Sequence, residues 1–305
     1  MVITMDKIIE FIKNNDIGKL LHNAELKNHT TYKVGGVARI IVYPKNIQKL
    51  IKLLKFIKKE NIKYKILGNG SNVIFSSKPY EGVIIKLDEL NNIEIKQNKI
   101  VVGAGYNLMK LARDAAKKSL AGLEFASGIP GTVGGAVFMN AGAYKSDMGY
   151  IVQKIKVLTP DFKVIVMTNR ELDFHYRTSF LQKNRDYICL EATLKLSYGD
   201  KDKIIEVNNE RKKRRIESQP LEYPSAGSVF RNPDGLFAGK LIEDLGFKGL
   251  TKGGAQISKK HANFIINIGN AKPEDIKDLI DFVKDAVKEK YNVDLKVEQE
   301  FVNWE

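Results

Sequence analysis

Two glycine-rich stretches carry the clearest chemical signal in this chain. The longer, Glu124 to Tyr144 (EFASGIPGTVGGAVFMNAGAY), gathers Gly128, Gly131, Gly134, Gly135 and Gly142 around Ile129-Pro130 with almost no charge. The shorter is GNGSN, Gly68 to Asn72. Glycine has no Cβ and admits positive φ, so successive backbone N–H groups can close on an anion. The shorter stretch offers the amides of Gly68, Asn69 and Gly70 with the Ser71 and Asn72 side chains; the longer offers Gly134, Gly135 and Asn140. Neither contains a Walker lysine, and GNGSN runs into Val73–Phe75 instead of opening a charged helix, which argues against P-loop and GxGxxG dinucleotide folds. The small apolar residues of the longer stretch suggest burial around a phosphate-bearing ligand. Taken alone, it also reads as a ligand-free loop between strands.

Two such loops in one α+β block, separated by a hairpin and a helix, suit a ligand with two phosphates and ring systems at both ends. FAD is the natural candidate, its diphosphate held by neutral amides. Other chemistries have little support. The chain has one cysteine, Cys189, and four histidines among 305 residues, so no thiolate cluster or intramolecular disulfide can form, and no metal is expected. Cys189 lies in the apolar run YICLEATLKL and reads as a buried strand residue.

The formal charge of +14 attracts polyanions in general. The densest basic run, Arg211 to Arg215, sits in a helix expected from about Lys201 to Glu217, without the interleaved aromatics or recognition module of a nucleic-acid reader. It reads as a solvated face, with phosphate binding as the competing reading and no nucleic-acid partner expected. No apolar run reaches the roughly 18 residues of a membrane span, and the charged start MVITMDKIIEFIKNND is unlike a signal peptide, so a cytoplasmic protein without membrane attachment is expected.

The elements that must position these residues follow from periodicity. Helices are expected near Asp6 to Asn15, after Asn46 (with Ile47, Leu50, Ile51, Leu54 and Ile57 on one face), and after Asn107. Strands are expected at Val37 to Tyr43, Tyr64 to Leu67, Val83 to Lys86, Ile93 to Lys96, Ile100 to Val102, Val152 to Leu158, Lys163 to Met167 and Tyr187 to Ser197. A third region holds the small-residue turn PSAGSVF, a helix near Gly239 to Leu245, strands at Ala255 to Ser258 and Phe264 to Asn267, and a Pro273-initiated helix to Lys290.

Five blocks, GNGSNVIFS, SGIPGTVGGAVFMNAGAY, YRTSF, PSAGSVFRNP and GGAQISKKHANFIIN, make the chain resemble the UDP-N-acetylenolpyruvoylglucosamine reductases, flavoenzymes of peptidoglycan precursor synthesis. The likeness covers about Asn28 to Glu300, and the blocks stand in family order. It implies an α+β fold: a two-subdomain FAD-binding module of the vanillyl-alcohol-oxidase-like type plus an α+β substrate-binding domain. The expected parts are 1–90 and 91–203 for FAD and 204–294 for substrate, with the tail 295–305 returning to the active site. The short interval from Tyr176-Arg177 to Ser228 resembles the family variant that lacks a tyrosine-bearing insertion.

The resemblance further implies a relay in which hydride from NADPH passes through non-covalently bound FAD to the enolpyruvyl group of a UDP-linked amino sugar. Arg177 in YRTSF matches the arginine that polarises the substrate carboxylate, and Ser228 in AGSVF the serine that protonates the enolate-like carbon. Glu298 matches the catalytic carboxylate. Here the chain departs from the pattern, reading Glu298-Gln299-Glu300 where an apolar residue usually follows the glutamate, so Glu300 competes for the role. Cofactor contacts map onto Gly68, Asn69, Gly70, Ser71, Asn72, Gly128, Ile129, Pro130, Gly134, Gly135, Asn140 and Gly142. Tyr176, Asn232 and Lys240 map beside the substrate; Lys240 or an arginine of 211–215 would meet the UDP diphosphate. His261 reads as a structural hydrogen-bonder. A monomer is expected. The other reading is an FAD-dependent sugar or alcohol oxidase of the same superfamily; such enzymes often attach flavin through histidine or cysteine, yet no histidine lies between His29 and His175.

Overall fold

A computed structural model describes residues 5–305. They pack as two units, one of residues 5–23, 39–68 and 81–212, the other of 24–38, 69–80 and 213–305. Most of the parts expected as 1–90 and 91–203 thus share one unit, while 24–38 and 69–80 group with the C-terminal third.

The first unit is built on two sheets. The four-stranded one runs Gly18–Glu25, Val37–Pro44, Tyr80–Ile85, Tyr64–Ile66, with the last two strands parallel. Val37–Pro44 reads as a nearly continuous apolar run, and all but one of its residues from Ala38 to Pro44 are buried, as a strand covered on both faces requires. The helix Ile47–Lys59 starts where Asn46 accepts from the Lys49 N–H, and it buries Leu50, Leu53, Leu54 and Ile57. The second sheet is antiparallel, in the order Val164–Thr168, Val152–Leu158, Ile188–Lys195, Lys99–Gly103, Ile93–Lys96. The helix Leu108–Lys117, capped by Asn107 as expected, buries its Leu and Ala face in the same core. Cys189 is buried in the strand Ile188–Lys195, where desolvation pushes its thiol up to about 12.

The second unit has its own core around Ile242, Ile257, Ile276, Ile280, Val283 and Val287. Its three-stranded sheet, Thr251–Lys252, Ala255–Ile257, Ile265–Asn267, packs on the helix Pro273–Tyr291. Proline at the first helical position needs no N–H partner there. The tail returns to the core of this unit: Glu300–Val302 pairs in parallel with Val73–Phe75, and Trp304 Nε1 donates to the Ile74 carbonyl at 2.8 Å.

Several elements lie outside the periodicity reading, among them three whose reasons differ. Gly18–Glu25 is a strand of half-buried, partly polar composition. Glu300–Val302 is too short to show a period. Val133–Met139, inside the longer glycine-rich stretch, is a helix that begins with poor helix formers but has a Thr132 N-cap accepting from Gly135.

Candidate functional site

In the first unit the two glycine-rich stretches meet. A Cβ on Gly68 would stand 2.8 Å from Thr132 Oγ1, so only glycine fits there without a shift. Gly68 opens the turn, and its carbonyl accepts from Lys86 Nζ at 2.7 Å. The turn continues through Asn69, Gly70 (φ +64), Ser71 and Asn72, which group with the second unit. There the Gly70 carbonyl accepts from Thr31, a Cβ on Gly70 would come within 2.3 Å of the His29 carbonyl oxygen, and Asn72 accepts at its carbonyl from Glu300 and donates through Nδ2 to the Glu298 carbonyl. Among the described residues nothing accepts from the N–H groups of Asn69, Gly70 or Ser71. Gly70 is buried, and an unmet amide at a buried position is the donor set an anionic diphosphate would satisfy.

The longer stretch is organised differently from the expectation. Gly134 donates its N–H to the Ala104 carbonyl at 2.8 Å, Gly135 donates to Thr132 Oγ1, and the Asn140 side chain donates to the His175 carbonyl and accepts from Gly149. These three donors, offered to an anion by the sequence pattern, are engaged within the chain: Gly135 closes the helix on its Thr132 cap, while Gly134 and Asn140 tie it to Ala104 and His175. Gly134 serves instead as a close-packing point: a Cβ there would meet the Ala104 Cβ at 2.9 Å. Among the described residues nothing accepts from the N–H groups of Gly128 and Gly131, which flank Ile129 and Pro130.

Arg177 lies beside the end of this helix. Asn140, its left-handed C-cap, holds the His175 carbonyl; Ser179 Oγ donates to the Phe138 carbonyl; and Gln182 Nε2 donates to the carbonyls of Phe138 and Arg177. Arg177 itself has φ +54, a left-handed conformation uncommon for a non-glycine residue, within the tight His175–Thr178 bridge. Its guanidinium donates to the Gly142 carbonyl at 2.8 Å and lies over the Tyr176 ring, whose residue is 54% exposed. The predicted Tyr176, Arg177 and Gly142 are therefore one cluster.

The second unit gathers Ser228, Asn232 and Lys240 around one cavity of about 280 Å³, with Phe237, Glu243, Lys260 and His261. Ser228 follows Gly227 (φ +75) in a turn gripped from both sides. Asn263 bonds both Val229 and Phe230, and Glu298 N–H donates to the Val229 carbonyl. Gln299, only 3% exposed, donates to the carbonyls of Ala226, Gly227 and Ser228. Sequence reasoning noticed Gln299 only as a departure from the family pattern; its contacts across more than 70 residues left no local signal. The bridge Phe230–Val297 sets Glu298 against the Ser228 turn, while Glu300 pairs with Val73. Asn232 Oδ1 accepts from Ala238 at the helix start, and Lys240 forms an exposed i,i+4 pair with Asp244. Burial lowers the pKa of His261, whose Nδ1 accepts from the Asn263 N–H, which makes it a neutral wall of the cavity.

Arg211 of the basic run stacks on Tyr144, with its guanidinium 4.8 Å from the ring centroid, and the Tyr144 hydroxyl donates to the Arg211 carbonyl. No group of three or more potential metal ligands occurs among the described residues, and no helix among them is long and apolar enough to cross a membrane.

Comparison with known proteins accounts for this arrangement. Residues 219–302 match the family described as UDP-N-acetylenolpyruvoylglucosamine reductase, C-terminal domain, and residues 38–168 match an FAD binding domain. The UDP-N-acetylenolpyruvoylglucosamine reductase of Bacillus licheniformis is 45% identical over 299 residues, 98% of this chain and 99% of that one. The chain belongs to the UDP-N-acetylenolpyruvoylglucosamine reductase family. The Bacillus subtilis enzyme of the same name is likewise 45% identical over 98% of this chain and 99% of its own length. The crystal structure of the Thermus caldophilus reductase superposes with a TM-score of 0.79 at 34% identity, covering 93% of this chain and 98% of that one. The fold is the α+β arrangement of an FAD binding domain joined to the C-terminal domain of this family, and a relationship over the whole length does not favour the sugar- or alcohol-oxidase reading.

Proposed function

We propose that this chain catalyses the NADPH-dependent, FAD-mediated reduction of UDP-N-acetylglucosamine enolpyruvate to UDP-N-acetylmuramate, with Arg177, Ser228 and Glu298 as its catalytic residues. The observation that carries the reading is the pair of preformed clusters, the Arg177 guanidinium fixed on Gly142 and the Ser228 turn gripped by Gln299 and Asn263, in a chain related over its full length to reductases of that name.

FAD, when bound, supplies the hydride that NADPH delivers to it. The residues that would hold it are those of Gly68 to Asn72, where the unmet amides of Asn69, Gly70 and Ser71 fit a diphosphate, and the stretch Gly128 to Gly142 around Ile129 and Pro130. The rest is work for side chains. Arg177 offers a guanidinium with paired donors, so it stabilises negative charge developing on the enolpyruvyl carboxylate. Its stacked, doubly anchored setting means that little reorganisation is needed when that charge appears. Ser228 donates a proton to the adjacent carbon; a hydroxyl is a weak acid, but the acceptor is strongly basic. Glu298, held by its main chain to Val229 and Asn72, is the carboxylate assigned to this step. Tyr176, Asn232 and Lys240 bind substrate. The Lys240–Asp244 pair is solvent-exposed and so weakly held, which leaves the ammonium available to a diphosphate.

The nucleotide-linked substrate supports a cytoplasmic enzyme, and we assign it as a monomer, to be checked by light scattering. The reaction is tested by following NADPH oxidation in the presence and absence of the UDP-enolpyruvyl sugar. Oxidation that requires the sugar is expected; oxidation at the same rate without it would overturn the assignment.

A further inference from the structure

Among the described residues Lys86 is the only charged residue that is buried. Its side chain is 8% exposed, and it follows directly on the strand Tyr80–Ile85, whose parallel pairing with Tyr64–Ile66 brings it level with the start of GNGSN. Its ammonium has two recorded partners: the Gly68 carbonyl at 2.7 Å and the half-exposed Asp88 carboxylate at 3.7 Å. Burial lowers its pKa, with Asp88 opposing the shift. Removing an ammonium from water has an effective penalty of several kcal/mol, which one carbonyl and one long ion pair do not offset. A second anion on the far side of Gly68 would.

The geometry of the peptide unit says which way that anion lies. A trans peptide is planar, so its C=O and N–H point in opposite directions. With the Gly68 carbonyl tied to Lys86, the N–H of the same peptide, that of Asn69, is turned away from the lysine, and it is the first of the three amides that find no acceptor among the described residues. Thr132 stands on the side of Gly68 toward the longer stretch, 2.8 Å from where a Cβ would be.

We propose that Lys86 is a positioning residue of the flavin site: it sets the orientation of the Gly68–Asn69 peptide and places a buried positive charge on the carbonyl side of that peptide, whose N–H is the first of the amides offered to the diphosphate. This rests on the reading that GNGSN holds the diphosphate. The expectation of neutral amides acting without a lysine is thereby amended, because the lysine stands behind the amides and acts through them.

The test compares FAD with riboflavin, which carries no phosphate, as ligands of the deflavinated protein, using quenching of flavin fluorescence. Wild type is expected to prefer FAD. Lys86→Met should weaken FAD by about 10- to 100-fold, the range for a hydrogen bond to a charged group, and leave riboflavin unchanged. Lys86→Arg should retain most of the preference, and thermal unfolding of each apo variant monitors folding. Unchanged FAD affinity in Lys86→Met overturns the proposal, as does an equal loss for both ligands with a lowered melting temperature, which marks a purely structural lysine. A wild-type protein that does not distinguish FAD from riboflavin would instead overturn the reading of GNGSN as the diphosphate turn, and the proposal with it.

Discussion

Ser228, the proposed proton donor, is the residue whose substitution separates the two halves of the reaction. Ser228→Ala should leave flavin reduction by NADPH nearly intact and slow reoxidation by substrate by about 10²- to 10⁴-fold, the usual range for a general acid; stopped-flow absorbance of the flavin reads both halves. Equal loss in both would exclude the acid role. Arg177 makes a stricter demand on shape than on charge, since its guanidinium bonds Gly142 and stacks on Tyr176 while its backbone is held at φ +54. Arg177→Lys should therefore slow reoxidation by about 10²- to 10³-fold despite retaining the charge, as expected when a preorganised donor pair is lost. A loss under tenfold would show that charge alone suffices. Both residues were legible in the sequence through YRTSF and AGSVF. Their supports were not: Gln182 and Asn140 hold the first, Gln299 and Asn263 the second, through bonds that span tens of residues and have no sequence period.

The helix Val133–Met139 shows how an element changes the meaning of its residues. Read as a loop, Gly134, Gly135 and Asn140 are anion donors; folded behind Thr132, they close and cap a helix, and Gly134 is needed because Ala104 lies where its Cβ would be. Gly134→Ala should destabilise the protein by about 1–3 kcal/mol through overpacking, despite the better helix propensity of alanine. Chemical denaturation of the apo-protein measures this, and a neutral or stabilising result would mean the contact relaxes at no expense. The strand Glu300–Val302 works at the same scale. By pairing with Val73–Phe75 it fixes where Glu298 enters, so the choice between Glu298 and Glu300 turns on register: Glu298 lies against Val229 and Glu300 against Val73. Glu298→Gln should impair turnover far more than Glu300→Gln, measured as kcat with saturating sugar.

For the molecule as a whole, the non-covalent state of the flavin has a direct readout. Denaturing the holoprotein and passing it through a filter should leave the polypeptide colourless, with all the yellow in the filtrate; retained colour would mean covalent attachment. The pH dependence of stability also belongs to this scale. The folded pKa of His261 is depressed by burial below its unfolded value near 6.5, so in the window between the two the unfolded chain binds more protons. Stability from this group is full above about pH 6.5 and is lost as pH falls from there through the folded pKa. His261→Gln should flatten that limb of the curve, and an unaltered profile would assign the acid sensitivity elsewhere.

The sequence by itself determined the family, the cofactor class and most of the elements, because glycine spacing, capping residues and apolar periodicity are local and act through the chain next to them. It marked the two glycine-rich stretches and the residues proposed for the chemistry. Tertiary structure alone decided which amides remain unmet, since a backbone N–H is available to a ligand only when nothing else in the fold accepts from it. It also decided the part played by Lys86. Its local sequence, IIKLDEL, reads as an ordinary strand end, and only the parallel pairing of Tyr64–Ile66 with Val83–Ile85 buries its charge against Gly68.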